Sequence, residues 1–203
     1  MAQDKTYLRP DGTVNMDDAY IPVEALDIVT KDYVDIATND VGVVGSTYGT
    51  VVEEGNGSFH KTTITLDGAF GAIAAGGAAL AIGRLIYTFP AGVIRVSTVA
   101  MNSVALTQTE GHITADTPEL GVGSTIGTGT NAALTGTTDD MLIGVAVTDC
   151  GGTAELRVAI SDFTVLAAAA HTVHLNVADT WDTGGDLALG FAGDVVITWE
   201  FLS

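Results

Sequence analysis

The sequence is short of the residues that do chemistry. Its 203 residues include 7 Lys+Arg, 4 His and a single cysteine, Cys150. One cysteine excludes an intrachain disulfide and any zinc site built on two or four thiolates. The seven basic residues, Lys5, Arg9, Lys31, Lys61, Arg84, Arg95 and Arg157, are scattered and form no run. A surface that tracks phosphates needs them clustered, so nucleic acid is excluded as a partner, and an anionic membrane surface with it. The longest apolar stretch, residues 69–82, is Ala-rich and broken by Gly71, Gly76 and Gly77, which makes it unfit as a membrane span. The opening Met1-Ala2-Gln3-Asp4-Lys5 is polar and lacks the apolar centre of a secretion signal.

What is present is acid, glycine and short apolar runs. There are 25 Asp+Glu, giving a formal net charge of −18, beside 25 Gly and a hydrophobic fraction of 47%. The acid reads as a solvated, soluble surface, and one compatible with salty water, where self-repulsion is screened. The apolar residues lie in β-branched runs punctuated by Gly and Asp, the texture of an all-β module.

Two regions are expected along the chain. Residues 1–40 read as an N-terminal arm. Pro10, Gly12, Asn15, Asp17 and Asp18 break regular structure in its first half. Residues 21–38 then carry the one helical pattern, with Leu26, Val29, Tyr33 and Ile36 on one stripe and Glu24 and Asp27 near the start. Residues 41–203 read as a β-sandwich of the jelly-roll kind. Residues 59–66 (FHKTTITL) alternate, with Phe59, Lys61, Thr63 and Thr65 on one face and His60, Thr62, Ile64 and Leu66 on the other. Residues 80–89 and 93–106 flank the turn Pro90-Ala91-Gly92. Short strands are expected at 141–148, 153–160, 163–166, 172–177, 187–189 and 195–202, the last with Trp199 and Phe201 on one face. Residues 115–139 read as a long Gly/Thr-rich loop, too poor in core residues to order alone.

Each group that suggests chemistry has a plainer reading. His171 and His174 form a metal pair only on a helix; on a strand, positions three apart face opposite ways. Asp179, Asp182 and Asp186, and likewise Asp139, Asp140 and Asp149, do not keep the alternating spacing of a calcium loop and read as turns. The glycines from Gly121 to Gly129 lack the Gly-Lys-Ser/Thr ending and any lysine, so they are not a phosphate loop. No G-x-S-x-G elbow occurs, and Cys150 sits next to Asp149, whose charge disfavours a thiolate. Tyr87, Phe89, Trp181, Phe191, Trp199 and Phe201 read as core, with Trp181 the one candidate for a sugar platform. No residue is therefore assigned as catalytic, cofactor-binding or metal-ligating, and no cofactor is expected.

Five segments carry a resemblance. They are His60-Lys61-Thr62-Thr63-Ile64-Thr65-Leu66, Leu85-Ile86-Tyr87-Thr88-Phe89-Pro90-Ala91-Gly92, Asp116-Thr117-Pro118-Glu119-Leu120-Gly121-Val122-Gly123, Leu175-Asn176-Val177-Ala178-Asp179-Thr180-Trp181 and Thr198-Trp199-Glu200-Phe201. Together they resemble head decoration (cement) proteins of tailed double-stranded DNA bacteriophages, marine ones above all, over about residues 45–203. The resemblance implies a non-enzymatic virion protein that binds the outer capsid surface and reinforces the lattice of the major capsid protein. It implies a homotrimer assembled in the host cytoplasm. The residue 1–20 arm and the 115–139 loop, both poor in core residues, are the expected contact elements. The alternative is a tail, fibre or receptor-binding component, or a carbohydrate-binding β-module.

Overall fold

The structure, a computed structural model, describes residues 7–8, 14–15, 43–44, 49–56, 59–73, 79–151, 155–166, 171–181 and 186–202. The chain divides into two compact units, Met1–Asp40 and Val41–Ser203. In the first, strands β1 (Tyr7–Leu8) and β2 (Val14–Asn15) pair antiparallel. The helical stripe over 21–38 lies outside the described residues.

Among the described residues the second unit is all β, with one 3₁₀ turn at Gly136–Thr138. Its strands are β3 (Val43–Val44), β4 (Gly49–Asn56), β5 (Phe59–Ile73), β6 (Ala81–Thr88), β7 (Val93–Thr107), β8 (Glu119–Gly123), β9 (Leu142–Ala146), β10 (Glu155–Leu166), β11 (Thr172–Ala178) and β12 (Asp186–Phe201). They form two five-stranded sheets: a long sheet ordered β10-β7-β12-β5-β4 and a short sheet ordered β3-β6-β11-β8-β9.

The connectivity is that of a jelly roll. β5 pairs with β12, β6 with β11, β7 with β10 and β8 with β9, every pair antiparallel. From Phe59 to Phe201 the chain is thus one long hairpin, and its successive rungs fall alternately in the long and the short sheet. Rolling such a ribbon up yields the two-sheet, eight-stranded barrel-like sandwich. The contacts β12–β7 and β11–β8 close the roll.

Alternation builds the core. Along β5, His60, Thr62, Ile64 and Leu66 are buried while Phe59, Lys61 and Thr65 are exposed, as expected for a sheet with one face solvated. Ile94, Val96, Val99 and Met101 of β7, Val173, Leu175 and Val177 of β11, and Val195, Ile197 and Trp199 of β12 are fully buried between the sheets. Cys150 lies in the same core.

Several strands run further than their sequence suggests. β5 continues seven residues beyond Leu66, and the segments at 187–189 and 195–202 are parts of one strand, β12. Those at 153–160 and 163–166 join as β10, with a shift of register between Ile160 and Phe163. A bulge hides the continuity of β12. Between Ala192 and Asp194 its register to β7 slips, where Gly193 takes φ 118° and Ser103 opposite takes φ 55°. A Cβ at Gly193 would strike the Ser103 backbone, so only glycine passes there.

Candidate functional site

Three features of the second unit place polar or exposed groups where they could serve a function: a strap over the short sheet, a buried polar cluster between the sheets, and the open outer face of the long sheet.

The strap is the Gly/Thr-rich segment read from sequence as a contact loop. Its start is β8, a strand inside the short sheet, and the rest folds back over that sheet's outer face. The outward residues of β11 hold it. Asn176, fully buried, accepts a hydrogen bond from the Gly127 N–H (2.7 Å) and donates to the carbonyls of Thr125 (2.9 Å) and Thr138 (2.7 Å). The Thr172 hydroxyl donates to the Ser124 carbonyl, and Ala178 packs with Ala81 and Leu134 in a small second core. Acidic residues tie the ends. Asp140 accepts from the Ser124 N–H (2.8 Å) and hydroxyl (2.7 Å), Glu119 from the Leu134 N–H (2.8 Å), and Asp139 from the Gly144 N–H (3.2 Å). The floor must be bare for backbone to lie this close. A Cβ at Gly83 would meet the Asn176 amide oxygen, and one at Gly123 the Thr138 backbone. The glycine pattern therefore serves close packing, and the segment is ordered within its own chain.

His174 lies under this strap, 9% exposed, and its Nδ1 has no hydrogen-bond partner. Burial pushes its pKa below 6.5, and the Ser124 and Gly123 backbone offsets part of that shift. His171 stands just before β11, half-buried. Among the described residues, no three of His, Cys, Asp and Glu gather as a metal site. Asp179 accepts from the Thr180 N–H, and Asp149 from the Gly151 N–H, each shaping its own turn; Asp182 lies outside the described residues. Trp181 belongs to the core, and the alternative of a sugar platform falls: it is 5% exposed, and its indole N–H donates to the Leu80 carbonyl (2.9 Å). A stacking ring must be open to its sugar; this one caps the end of the sandwich.

The buried cluster surrounds Trp199. The His60 ring stacks on its indole, with Phe201 edge-on to both and Phe89 edge-on to the indole. The Trp199 N–H donates to the Thr62 hydroxyl at 2.8 Å. Glu53 of β4 meets the polar side of the cluster. One carboxyl oxygen lies 3.1 Å from His60 Nδ1, and the other accepts from the Tyr87 hydroxyl at 2.8 Å. Since Tyr87 belongs to β6, this carboxyl bridges the two sheets. The sequence puts His60 on one face with Thr62, Ile64 and Leu66 but gives no sign of its partners, which come from two other strands, Glu53 on β4 and Trp199 and Phe201 on β12.

Among the described residues nothing covers the long sheet's outer face, which leaves Val52 and Phe59 exposed. Among its described side chains the cations are matched across strands, Lys61 with Glu54 (2.9 Å) and Arg95 with Glu200. Between these pairs runs the uncharged row Val52, Thr63, Val196 and Ala100, one residue from each of four neighbouring strands. Of the large apolar residues left exposed among the described residues, Val52 (60%), Phe59 (48%) and Val93 (37%) lie on this face, and Leu202 at its end.

A polar groove of about 490 Å³ lies where β7 ends, lined by Gln108, Glu110 and Thr114 among others. The Gln108 amide is spent on Thr114, the Cys150 carbonyl and the Ile113 N–H, so it holds the loop's shape. No protein-family model, curated protein or solved structure matches this chain.

Proposed function

We propose that this protein is a non-enzymatic structural protein of a phage head, which binds the outside of the capsid and reinforces the lattice of the major capsid protein. The observation that carries the reading is where the polar side chains go. Asp139, Asp140, Glu119, Asn176 and Gln108 hold backbone, and the Glu53 cluster joins the two sheets. What is left to the solvent on the long sheet is a broad surface rather than a cleft, which suits contact with protein rather than with a small substrate. Resemblance of five segments to head decoration proteins supports the same role. The acidity fits an outer position: a shell facing water gains solubility, whereas one facing packaged DNA would be repelled.

The test is quantitative mass spectrometry of purified virions. Copies in simple ratio to the major capsid protein support decoration of the head. A few copies per particle move the protein to the tail or a vertex, and absence from particles overturns the proposal.

A further inference from the structure

We propose that the outer face of the long sheet is a self-association surface, on which a second copy of this chain packs with the same face across a two-fold axis. The inference does not depend on the head-decoration reading.

Charge selects the occupant. At a formal net charge of −18, two copies repel each other over most approaches. Among the described side chains of this face the two cations, Lys61 and Arg95, are neutralised at home by Glu54 and Glu200, and the central row Val52, Thr63, Val196 and Ala100 carries no charge. A partner drawn by charge, such as a basic protein, finds nothing here to prefer over the rest of an acidic surface. A second copy of this hydroxyl-and-methyl row meets it without burying an ion at its centre, Asp194 staying at the rim beside the bulge, and the same chain supplies that row.

Shape and area agree. The short sheet's outer face is occupied by the strap, so the long sheet presents the open sheet surface. From the Glu200–Phe59 pair to the Asp194–Thr65 pair the face is regular; beyond it the Gly193–Ser103 bulge bends the sheet. Five strands at about 4.8 Å spacing and seven residues at about 3.3 Å rise give roughly 550 Å² of plan area. Side-chain relief brings the accessible area toward the roughly 800 Å² per partner of a standard interface. Phe59 is the aromatic anchor such an interface needs, 48% exposed at the start of β5. Two sheets that pack face to face interdigitate small and β-branched side chains, which is what the central row offers.

The experiment is sedimentation velocity of the full chain over a wide concentration range, for the wild type, Val196→Glu, Val196→Lys and an equimolar mixture of the two variants. Val196 stands on the middle strand of the face, where a two-fold axis brings the two copies' charges together. The wild type is expected to shift from 20.7 kDa to twice that mass as concentration rises into the micromolar range, each variant to stay monomeric, and the mixture to recover the dimer. Recovery in the mixture separates lost contact from lost folding. A wild type that stays monomeric throughout overturns the proposal. So does a dimer or trimer that both variants leave intact, because association then uses another surface. Hydroxyl-radical footprinting of the wild type reads the face without any variant: protection of Phe59 and Val93 that grows with concentration is expected, and unchanged labelling of both overturns the assignment.

Discussion

The imidazole of His60 lies flat on the indole of Trp199, ring centroids 4.0 Å apart and planes 7° from parallel. The two residues face each other across β5 and β12, at the register position next to the Glu200–Phe59 pair. Their stack is buried, and Glu53 closes its polar edge. The sandwich is thus joined at this end by a carboxyl that reads three strands at once: its own β4, His60 on β5 and Tyr87 on β6 of the other sheet.

Removing the Tyr87 hydroxyl should therefore cost more than its one hydrogen bond. Tyr87→Phe takes one donor from a buried carboxyl, and a hydrogen bond lost at a buried charged acceptor costs about 1–3 kcal/mol. Urea unfolding should show that loss with little change in slope. A change below about 0.5 kcal/mol would mean that the Glu53 carboxyl finds water or another donor, and that the bridge between sheets is not structural.

The strap stands on Asn176. Asn176→Ala deletes three hydrogen bonds and leaves one N–H and two carbonyls covered by the strap. A loss of about 2–4 kcal/mol is expected, partly recovered by local relaxation. The more specific sign is local: amide exchange should quicken across residues 124–140 before it changes in β5 or β12. Gly83→Ala should give the same exchange pattern, because its new methyl displaces the Asn176 amide. Uniform quickening in both variants would show that the strap has no separate opening.

These two regions also show how far the sequence could be read. β5 was legible because one of its faces is wet, so burial alternates with a period of two. β8 was not. Covered by the core on one side and the strap on the other, it is buried at Leu120, Gly121, Val122 and Gly123 alike, and its glycines read as a loop. β12 looked like two strands because Gly190 and Gly193 interrupt its apolar pattern, and only pairing with β5 and β7 shows its continuity. The Glu53–His60–Tyr87 group was illegible for a different reason. Its members come from three strands, and the hydrogen bond from Tyr87 to Glu53 spans 34 residues. A polar residue's partner is fixed by the roll of the ribbon, which no local spacing encodes.

Acid should weaken the fold through His174. The folded protein keeps this buried imidazole neutral, with a pKa below 6.5, whereas the unfolded chain titrates near 6.5. Between those two values the unfolded chain binds more protons, so stability falls as pH drops through the window and is regained above 6.5. His174→Gln, which keeps a polar side chain without the titration, should flatten the melting temperature between about pH 7.5 and pH 5 relative to the wild type. An equal decline in both proteins would assign the acid sensitivity to other groups.

Salt sets two effects against each other, and their sizes decide the sign. Lys61–Glu54 and Arg95–Glu200 lie at the surface, where an ion pair contributes about 0–1 kcal/mol and salt weakens it. Against them stands the self-repulsion of a chain with 25 acidic and 7 basic residues, which compacts on folding and gains from screening. The Debye length falls from about 10 Å at 0.1 M to about 3 Å at 1 M, so repulsion between well-separated carboxylates is removed over that range, while ions in direct contact, as Lys61 and Glu54 are at 2.9 Å, are only partly screened. Repulsion involves many more charges than the two pairs do. The melting temperature should therefore rise between 0.1 M and 1 M sodium chloride, and a fall would mean that the paired cations of the long sheet outweigh the excess of acid everywhere else.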